Sequence, residues 1–190
     1  MPTAPLPSIA LSPPRFDVLY ADPPWHLGGG TRGRPPYPLM ATRDICALPV
    51  SSVAAQDSIP FLWAVHFHLP DALAVIRAWG FTYKTVAFTW VKRTPLDTGF
   101  LLGRGYWTHS NAEPCLLATK GRPRRVGTGV SSLIVSPRRE HSRKPDEVRD
   151  KIVHISGDVP RAELFARQKV HGWSSWGNEV EGDFTLNASP

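Results

Sequence analysis

The chain has 190 residues, 42% of them hydrophobic, and this length suits one domain that buries a sizeable core. Its net charge of +6 and its pI near 9.7 favour a polyanionic partner such as a nucleic acid. The two cysteines, Cys46 and Cys115, are too far apart in sequence to predict a disulfide framework or a metal site. No apolar run has the length of a membrane span, and the N-terminus lacks a signal-peptide pattern. We therefore expect a cytoplasmic protein with no membrane segment and no metal.

The first predicted strand, Phe16–Ala21, leads into the segment Asp22-Pro23-Pro24-Trp25, called the DPPW turn below. Proline fixes φ and lacks an N–H, and the residue before a proline is extended. We expect the turn to hold a carboxylate, carbonyls without amide partners and a flat ring in a rigid arrangement that suits a planar –NH2 group. A surface turn with a core tryptophan is the alternative, so the motif alone does not decide.

The segment that follows the turn, residues 26–38, is rich in glycine, arginine and proline and has no hydrophobic periodicity. Such loops at the carboxyl end of a strand often contact ligands. Tyr37 and Met40 close this segment. We favour a lid that orders on substrate binding over a disordered connector, because the loop directly follows the DPPW turn.

Alternating elements follow. Thr42 is a candidate N-cap for a short helix through Ala47, and residues 59–65 read as a strand buried on both faces. A helix opens at Pro70 and ends at Gly80, and residues 81–92 form the next strand. This strand–helix–strand order predicts a βαβ unit.

The second half continues the alternation. A long irregular loop at 94–110 precedes a strand at 113–120, and a basic loop at 121–130 carries Arg124 and Arg125. We predict that this loop contacts phosphates, although a solvated surface loop has the same composition. A short strand at 132–135, a helix beginning at Pro145 and a strand at 161–165 complete a three-layer α/β domain over residues 16–182. Residues 1–15 are expected to be a flexible lead-in and 183–190 a tail.

Five motifs in this order resemble the MT-A70 family of S-adenosylmethionine-dependent adenine N6-methyltransferases, in the compact form found in bacteria and their phages. They are the DPPW turn, Trp90-Val91-Lys92, Lys144-Pro145-Asp146-Glu147, ELFAR at 163–167 and WGNE at 176–179. Position 166 is Ala where many relatives have Gly. The resemblance implies a Rossmann-like α/β/α methyltransferase with permuted motif order, in which the catalytic motif comes first.

The resemblance implies a catalytic role for the DPPW turn, namely Asp22, Pro23, Pro24 and Trp25. The exocyclic nitrogen of adenine is a poor nucleophile because its lone pair is conjugated with the ring. The Asp22 carboxylate and the Pro23 carbonyl are expected to accept its two N–H groups and localise that lone pair. Trp25 or Tyr37 would stack on the base. Similar cytosine enzymes usually carry Ser in place of Asp22, so Asp22 favours adenine.

The cofactor half is also implied by the resemblance. Lys144 would contact the amino-acid portion of S-adenosyl-L-methionine, Glu163 the ribose hydroxyls, and Leu164 and Phe165 the pocket wall. The full implied cofactor set is Ala21, Asp22, Lys144, Glu163, Leu164, Phe165, Arg167, Asn178 and Glu179.

Substrate contacts are expected from several loops and strand ends. Lys92 would neutralise a phosphate, with a surface lysine as the alternative. His109, Asn111 and Glu113 match a region where the family closes over substrate, although structural hydrogen bonds are as plausible for each. The complete predicted set is Tyr37, Lys92, His109, Asn111, Glu113, Arg124 and Arg125.

The sequence therefore predicts an adenine N6-methyltransferase that acts on nucleic acid, with DNA favoured, as a monomer or homodimer. Three alternatives stay open at this point: an RNA adenine N6-methyltransferase, a protein glutamine methyltransferase, and a non-catalytic nucleic-acid-binding partner.

Overall fold

A computed structural model of the chain describes residues 15–26, 37–103, 105, 107–140 and 143–186. The lead-in predicted at 1–15, apart from Arg15, and the lid predicted at 26–38, apart from its ends, lie outside the described residues. Seven strands form one sheet in the order β5-β3-β4-β2-β1-β6-β7. In chain order the elements are β1 (Phe16–Ala21), α1 (Thr42–Cys46), β2 (Ala54–Trp63), α2 (Leu69–Ala78), β3 (Thr82–Arg93), β4 (Ala112–Thr119), β5 (Leu133–Pro137), α3 (Glu147–Ser156), β6 (Arg161–Leu164) and β7 (Ser174–Trp176), with short 3-10 turns at Val50–Ser52 and His66–His68.

Strand directions define one functional edge of the sheet. β1 pairs in parallel with β2 on one side and with β6 on the other, so the carboxyl ends of these three strands meet at one edge. β4 runs antiparallel between β2 and β3, and it therefore brings its amino end to the same edge. The expected βαβ unit is thus modified, because β2 and β3 run the same way with β4 between them.

Helices cover both faces of the sheet, and this confirms the expected α/β/α class. One buried cluster joins α1 and α2 to one face, through residues such as Ile45, Val75 and Trp79. A second cluster joins α3 to the other face, through Val148 and Ile152 against the side chains of Tyr20 and Phe61. Residues of β1 alternate between the two clusters because successive side chains of a strand point to opposite faces.

Element boundaries differ from the sequence expectation at several points. Ala41, not Thr42, precedes the first helix, and no side chain caps it. β2 begins at Ala54, five residues earlier than predicted, and the short edge strand β7 was not predicted. In the segment expected to be a tail, Phe184 is buried and its ring lies 4.9 Å from that of Phe16. Packing of the domain therefore extends past residue 182.

Candidate active site

The DPPW turn lies at the carboxyl edge of the sheet and is held by backbone hydrogen bonds. The Trp25 N–H donates to the Pro23 carbonyl (2.8 Å), and the Met40 N–H donates to the Pro24 carbonyl (2.8 Å). The expectation that these carbonyls lack amide partners is therefore wrong, because the chain after the turn folds back and pairs with it. A carbonyl oxygen has two lone pairs, so the Pro23 oxygen retains one for a ligand.

Trp25 is a wall of the site and is almost fully buried. Its Nε1 donates to the Trp63 carbonyl (3.1 Å), and the His68 imidazole stacks on its ring at 5.7 Å. One face of Trp25 is thus already covered. The Tyr37 ring likewise has the Arg167 guanidinium 4.5 Å from its centre. Each ring has at most one face left for a base, and stacking by either stays a prediction.

Four charged side chains, Asp22, Lys144, Glu113 and Lys92, form what we call the ion network. Lys144 Nζ donates to both Asp22 carboxylate oxygens (2.8 and 2.7 Å) and lies 3.3 Å from Glu113 Oε2. Lys92 donates to Glu113 Oε1. The network joins residues from three strands with the segment before α3, and its formal charge is zero.

Burial sets the electrostatics of the ion network. Burial alone would raise the pKa of Glu113, but the ammonium groups of Lys144 and Lys92 outweigh it and hold that pKa below its usual value. Burial would also lower the pKa of Lys144, but the Asp22 and Glu113 carboxylates outweigh it and raise that pKa well above the usual value. Glu113 and Lys144 are therefore both charged at neutral pH.

The ion network corrects the expectation for Lys92. Its side chain is only 12% exposed, its ammonium is paired with Glu113, and it lies 5.1 Å from the centre of the Trp90 ring. It is therefore not a surface lysine placed for a phosphate. Glu113 is likewise mostly buried and interacts with both lysines, and it also lines the smaller of the two cavities described next. Its substrate contact stays a prediction.

Two adjoining cavities meet at Asp22. The larger, of about 200 Å³, is lined by Tyr20, Asp22, Glu140, Arg143, Lys144, Arg149, Glu163, Phe165, Arg167, Gln168 and Glu179. The smaller, of about 110 Å³, is lined by Asp22, Pro23, Trp25, Tyr37, Leu39, Trp63, Ala64, Val65, Glu113, Lys144 and Arg167. Asp22, Lys144 and Arg167 belong to both walls. Ligands in the two cavities would therefore both lie against these three side chains.

An arginine that the sequence reading missed orients the acid of the larger cavity. Arg149 donates from Nε and Nη2 to both oxygens of Glu163 (2.8 Å each), and from Nη1 to Asp146 (3.0 Å). Burial would lower the pKa of Arg149, but these carboxylates outweigh it and raise it. The available signal was an arginine next to Val148, on the buried side of a predicted amphipathic helix.

The chain after β6 bends sharply at Phe165, which has φ +62°, a strained value for a side chain without glycine's freedom. The Ala166 N–H donates to the Trp176 carbonyl (2.9 Å), which holds the bend. A Cβ at Gly177 would lie 2.2 Å from the Ala166 oxygen, so this close approach requires glycine. The bend directs the Phe165 ring into the wall of the larger cavity.

The remaining predicted cofactor residues fall into two groups. Arg167 and Glu179 line the larger cavity and form an ion pair at 3.7 Å. Ala21 and Leu164 are buried in the core and do not line it, so they support the site from behind. Asn178 is exposed and is not part of the cavity wall. Its cofactor contact stays a prediction.

The remaining predicted substrate residues line neither cavity. His109 is exposed and its Nδ1 donates to the Gly103 carbonyl (3.0 Å), while the Asn111 carbonyl accepts from the Lys92 N–H (2.8 Å). Arg124 and Arg125 are exposed in the basic loop, residues 121–130. This loop leaves β4 at the amino edge of the sheet, where the Arg122 N–H donates to Asp57 (2.7 Å). The arginines thus lie at the opposite edge of the sheet from the DPPW turn, and their phosphate contacts stay a prediction.

Two other classes of site were searched for in the described residues. No group of three or more His, Cys, Asp or Glu side chains there is arranged to hold a metal ion. None of the helices in those ranges combines the length and apolar character needed to cross a membrane.

Comparison with known proteins gives consistent matches. A profile of the MT-A70 family matches residues 16–179. The type II methyltransferase M.MunI of a Mycoplasma species is 31% identical over 189 residues, which cover 87% of this chain and 78% of that protein. A putative N(6)-adenosine-methyltransferase MT-A70-like protein of Medicago truncatula is 37% identical over 172 residues, covering 88% of this chain. The human N(6)-adenosine-methyltransferase catalytic subunit METTL3 is 29% identical over 177 residues, covering 91% of this chain. The chain spans only 27% of the plant protein and 30% of the human one.

Proposed function

We propose that this chain, which belongs to the MT-A70 family of S-adenosylmethionine-dependent methyltransferases, methylates N6 of adenine in DNA. The observation that carries the proposal is the position of Asp22 in the wall shared by the two cavities. An adenine in the smaller cavity and a methyl donor in the larger one would meet at this carboxylate.

The larger cavity has a donor set that fits S-adenosyl-L-methionine, the cofactor of this family. The Lys144 ammonium suits the carboxylate of the cofactor's amino-acid portion. Glu163 is held by Arg149 through both oxygens, and each oxygen keeps a lone pair that suits a ribose hydroxyl. Phe165 adds an apolar surface. When bound, the cofactor supplies an electrophilic methyl group on a sulfonium.

The DPPW turn activates the acceptor. Asp22 accepts one N–H of the adenine amino group, and the free lone pair of the Pro23 carbonyl accepts the other. These two acceptors localise the nitrogen lone pair toward the larger cavity. They are fixed before the substrate arrives, because Lys144 holds Asp22 and the Trp25 N–H holds Pro23. Transfer would form the N–C bond as the methyl–sulfur bond breaks and leaves a neutral thioether. The excess N–H proton on the product nitrogen would then pass to the Asp22 oxygen that accepts this hydrogen.

DNA is favoured as the nucleic acid because of one relative. The relative of which this chain covers the larger share carries the designation of a type II methyltransferase, used for enzymes that modify DNA. The net charge of +6 suits any polyanion and does not discriminate. In duplex DNA the target adenine would be flipped out of the stack to reach the smaller cavity. RNA is the second candidate, because the plant and human relatives are named N(6)-adenosine-methyltransferases.

The proposal is tested by incubating the protein with methyl-labelled cofactor and equal masses of duplex DNA, single-stranded DNA, RNA or nuclease-treated protein extract. Each polymer is then digested, and the labelled product is identified by mass spectrometry. We expect the labelled product to be N6-methyl-2′-deoxyadenosine, and we expect labelling to be fastest with DNA. Faster labelling of RNA would support the second candidate. Label confined to protein would contradict the assignment of adenine as the acceptor. No label together with no cofactor binding would contradict the assignment as an enzyme.

A further inference from the structure

The four residues of the ion network are far apart in sequence, but they lie side by side across the carboxyl edge of the sheet. Lys92 lies at the end of β3, Glu113 near the start of β4, and Asp22 just after β1. β2 lies between β4 and β1, and at this level it carries Trp63. Lys144 comes from the segment before α3, lies 5.3 Å from the centre of the Trp63 ring, and spans β2 to reach the carboxylates on either side.

The two oxygens of Glu113 are divided between the two lysines. Lys92 binds Oε1, and Lys144 contacts Oε2 at 3.3 Å, which is longer than its two contacts with Asp22. Because Lys92 neutralises Glu113, the attraction of Glu113 for Lys144 is limited. Without Lys92, both Glu113 oxygens would compete for the Lys144 ammonium and draw it away from Asp22.

The position of Lys92 is itself held by several contacts, as a residue that positions Glu113 and Lys144 requires. Its backbone N–H donates to the Asn111 carbonyl (2.8 Å), and its carbonyl accepts from the Leu101 N–H (2.9 Å). The Lys92 side chain lies over the Trp90 ring, whose Nε1 donates to the Ser136 carbonyl (3.1 Å). The Lys92 side chain thus starts from a hydrogen-bonded backbone, and its ammonium group lies over a buried tryptophan ring.

We propose that Lys92 and Glu113 are a positioning pair that holds the Lys144 ammonium over β2 and thereby fixes the orientation and acceptor strength of Asp22. This inference rests on the proposed function, in which Asp22 accepts the adenine amino group. Lys92 touches neither cavity wall and acts through Glu113 and Lys144.

The test compares Lys92→Met, Lys92→Arg, Glu113→Gln and the charge-neutral double variant Lys92→Met/Glu113→Gln with the wild type. Lys84→Met, at an exposed position of the same strand, is the matched control. We expect Lys92→Met to lower kcat about 10-fold or more while KM for nucleic acid changes less than about three-fold. Lys92→Arg, which keeps the charge, restores most of kcat. The double variant is no slower than the slower single variant, since its two changes act on one pathway.

A pH profile adds a readout that a purely structural role would not move. The titratable groups that face Glu113 are Lys92 from β3 and Lys144 from the segment before α3, and Asp22 lies beyond Lys144. Cys115 follows two residues later on β4, and Tyr20 lies behind it. Removing Lys92 removes one of the two ammonium groups that keep the Glu113 pKa low. The acidic limb of kcat in Lys92→Met therefore shifts to higher pH.

Two results would overturn the positioning role. A raised KM with unchanged kcat, together with a salt dependence of binding reduced by about one unit, would make Lys92 a phosphate contact. If the fold-loss of kcat in the double variant equals the product of the fold-losses in the two single variants, Lys92 and Glu113 act independently.

A second arm does not depend on methyl transfer. NMR of the lysine ε-CH2 and ammonium groups, with Lys144 assigned by its loss in Lys144→Arg, should show a shifted Lys144 signal in Lys92→Met and not in Lys84→Met. If that shift is found but no variant or wild type methylates adenine, the proposed function fails while the positioning pair stands. An unchanged Lys144 signal in a folded Lys92→Met protein contradicts the pair itself.

Discussion

The ion network and the basic loop both contain two or more basic side chains, but the environments of these side chains differ. In the ion network at the carboxyl edge, the ammonium groups of Lys92 and Lys144 are buried and neutralised by two carboxylates. In the basic loop at the amino edge, Arg124 and Arg125 are exposed to solvent. The first pair cannot attract a polyanion over distance, because its field is cancelled locally. The second can, but its effect is screened by salt.

This comparison shows that net charge is a weak guide to where a basic protein binds its partner. The two lysines of the ion network count toward the total of +6, but they act within the site. Substitutions should therefore have large effects on turnover at the carboxyl edge and small effects on binding at the amino edge.

Loss of the Asp22 carboxylate is expected to have the largest effect. Asp22→Ala removes the acceptor shared by the two cavities, and we expect kcat to fall by about 10³-fold. The cofactor should still bind within roughly 10-fold of the wild-type affinity, since Glu163 and Arg167 remain. Methyl transfer and isothermal titration calorimetry on the same preparation measure both quantities. A variant that retains most of its activity would remove Asp22 from the mechanism.

Loss of charge at Glu163 should affect binding more than turnover. Glu163→Gln replaces one of the two acceptors proposed for the ribose hydroxyls by an NH2 donor and removes the charge that pairs with Arg149. We expect the Kd for the cofactor to rise about 10- to 100-fold, with kcat at saturation nearly unchanged. Glu147→Gln, on the exposed side of α3 near Lys151, is the matched control and should bind normally. Equal Kd values for the two variants would exclude the ribose role.

The pH dependence of stability provides a third test of the buried network. Because the folded-state pKa of Glu113 lies below its usual value of 4.5, its stabilising contribution is complete above that pH and is lost as pH falls through the folded pKa. Urea unfolding between pH 6 and 3 should therefore show a shallower acid loss of stability in Glu113→Gln than in the wild type. If the free energy of unfolding depends on pH in the same way in both proteins, Glu113 has the same pKa in the folded and unfolded states.

The basic loop is expected to give the smallest effect. Arg124→Glu/Arg125→Glu should weaken DNA binding and reduce the slope of log K against log salt by about two units for two lost phosphate contacts. The kcat at saturating DNA should stay within about two-fold, because the loop is at the other edge of the sheet. Arg43→Glu/Arg77→Glu, at exposed positions of α1 and α2, is a control with the same change of charge. Equal losses in both variants would show a general charge effect rather than contacts by the loop.

Much of the fold follows from local patterns in the sequence. The alternation of apolar strands with amphipathic helices predicts the α/β/α class, and Gly80 marks the end of α2 with φ +83°. The antiparallel insertion of β4 was not predictable in the same way. Its residues pack on both faces like those of a parallel strand, and its direction is evident only from the register, in which Phe61 pairs with Leu117 and Trp63 with Cys115.

The site was predicted in outline but not in its pairings. The motif order places Asp22 and Lys144 in one site although 122 residues separate them. Which carboxylate each lysine meets depends on strand register, since Trp90 opposite Glu113 is what brings Lys92 to that acid. A strand-end lysine with this register and one that faces solvent have the same local sequence. The same limit applies to Arg149, whose partner Glu163 lies on another element.

The most direct test of the central claim is a crystal structure with sinefungin, an unreactive cofactor analogue, and a short DNA that contains a flipped adenine. The account predicts that the adenine N6 lies within about 3.2 Å of an Asp22 oxygen and of the Pro23 carbonyl. The analogue's amine, which replaces the reactive methyl, should approach N6 from the larger cavity. An adenine bound elsewhere, or an analogue placed on the far side of Asp22 from N6, would contradict the assignment of this turn as the site of methyl transfer.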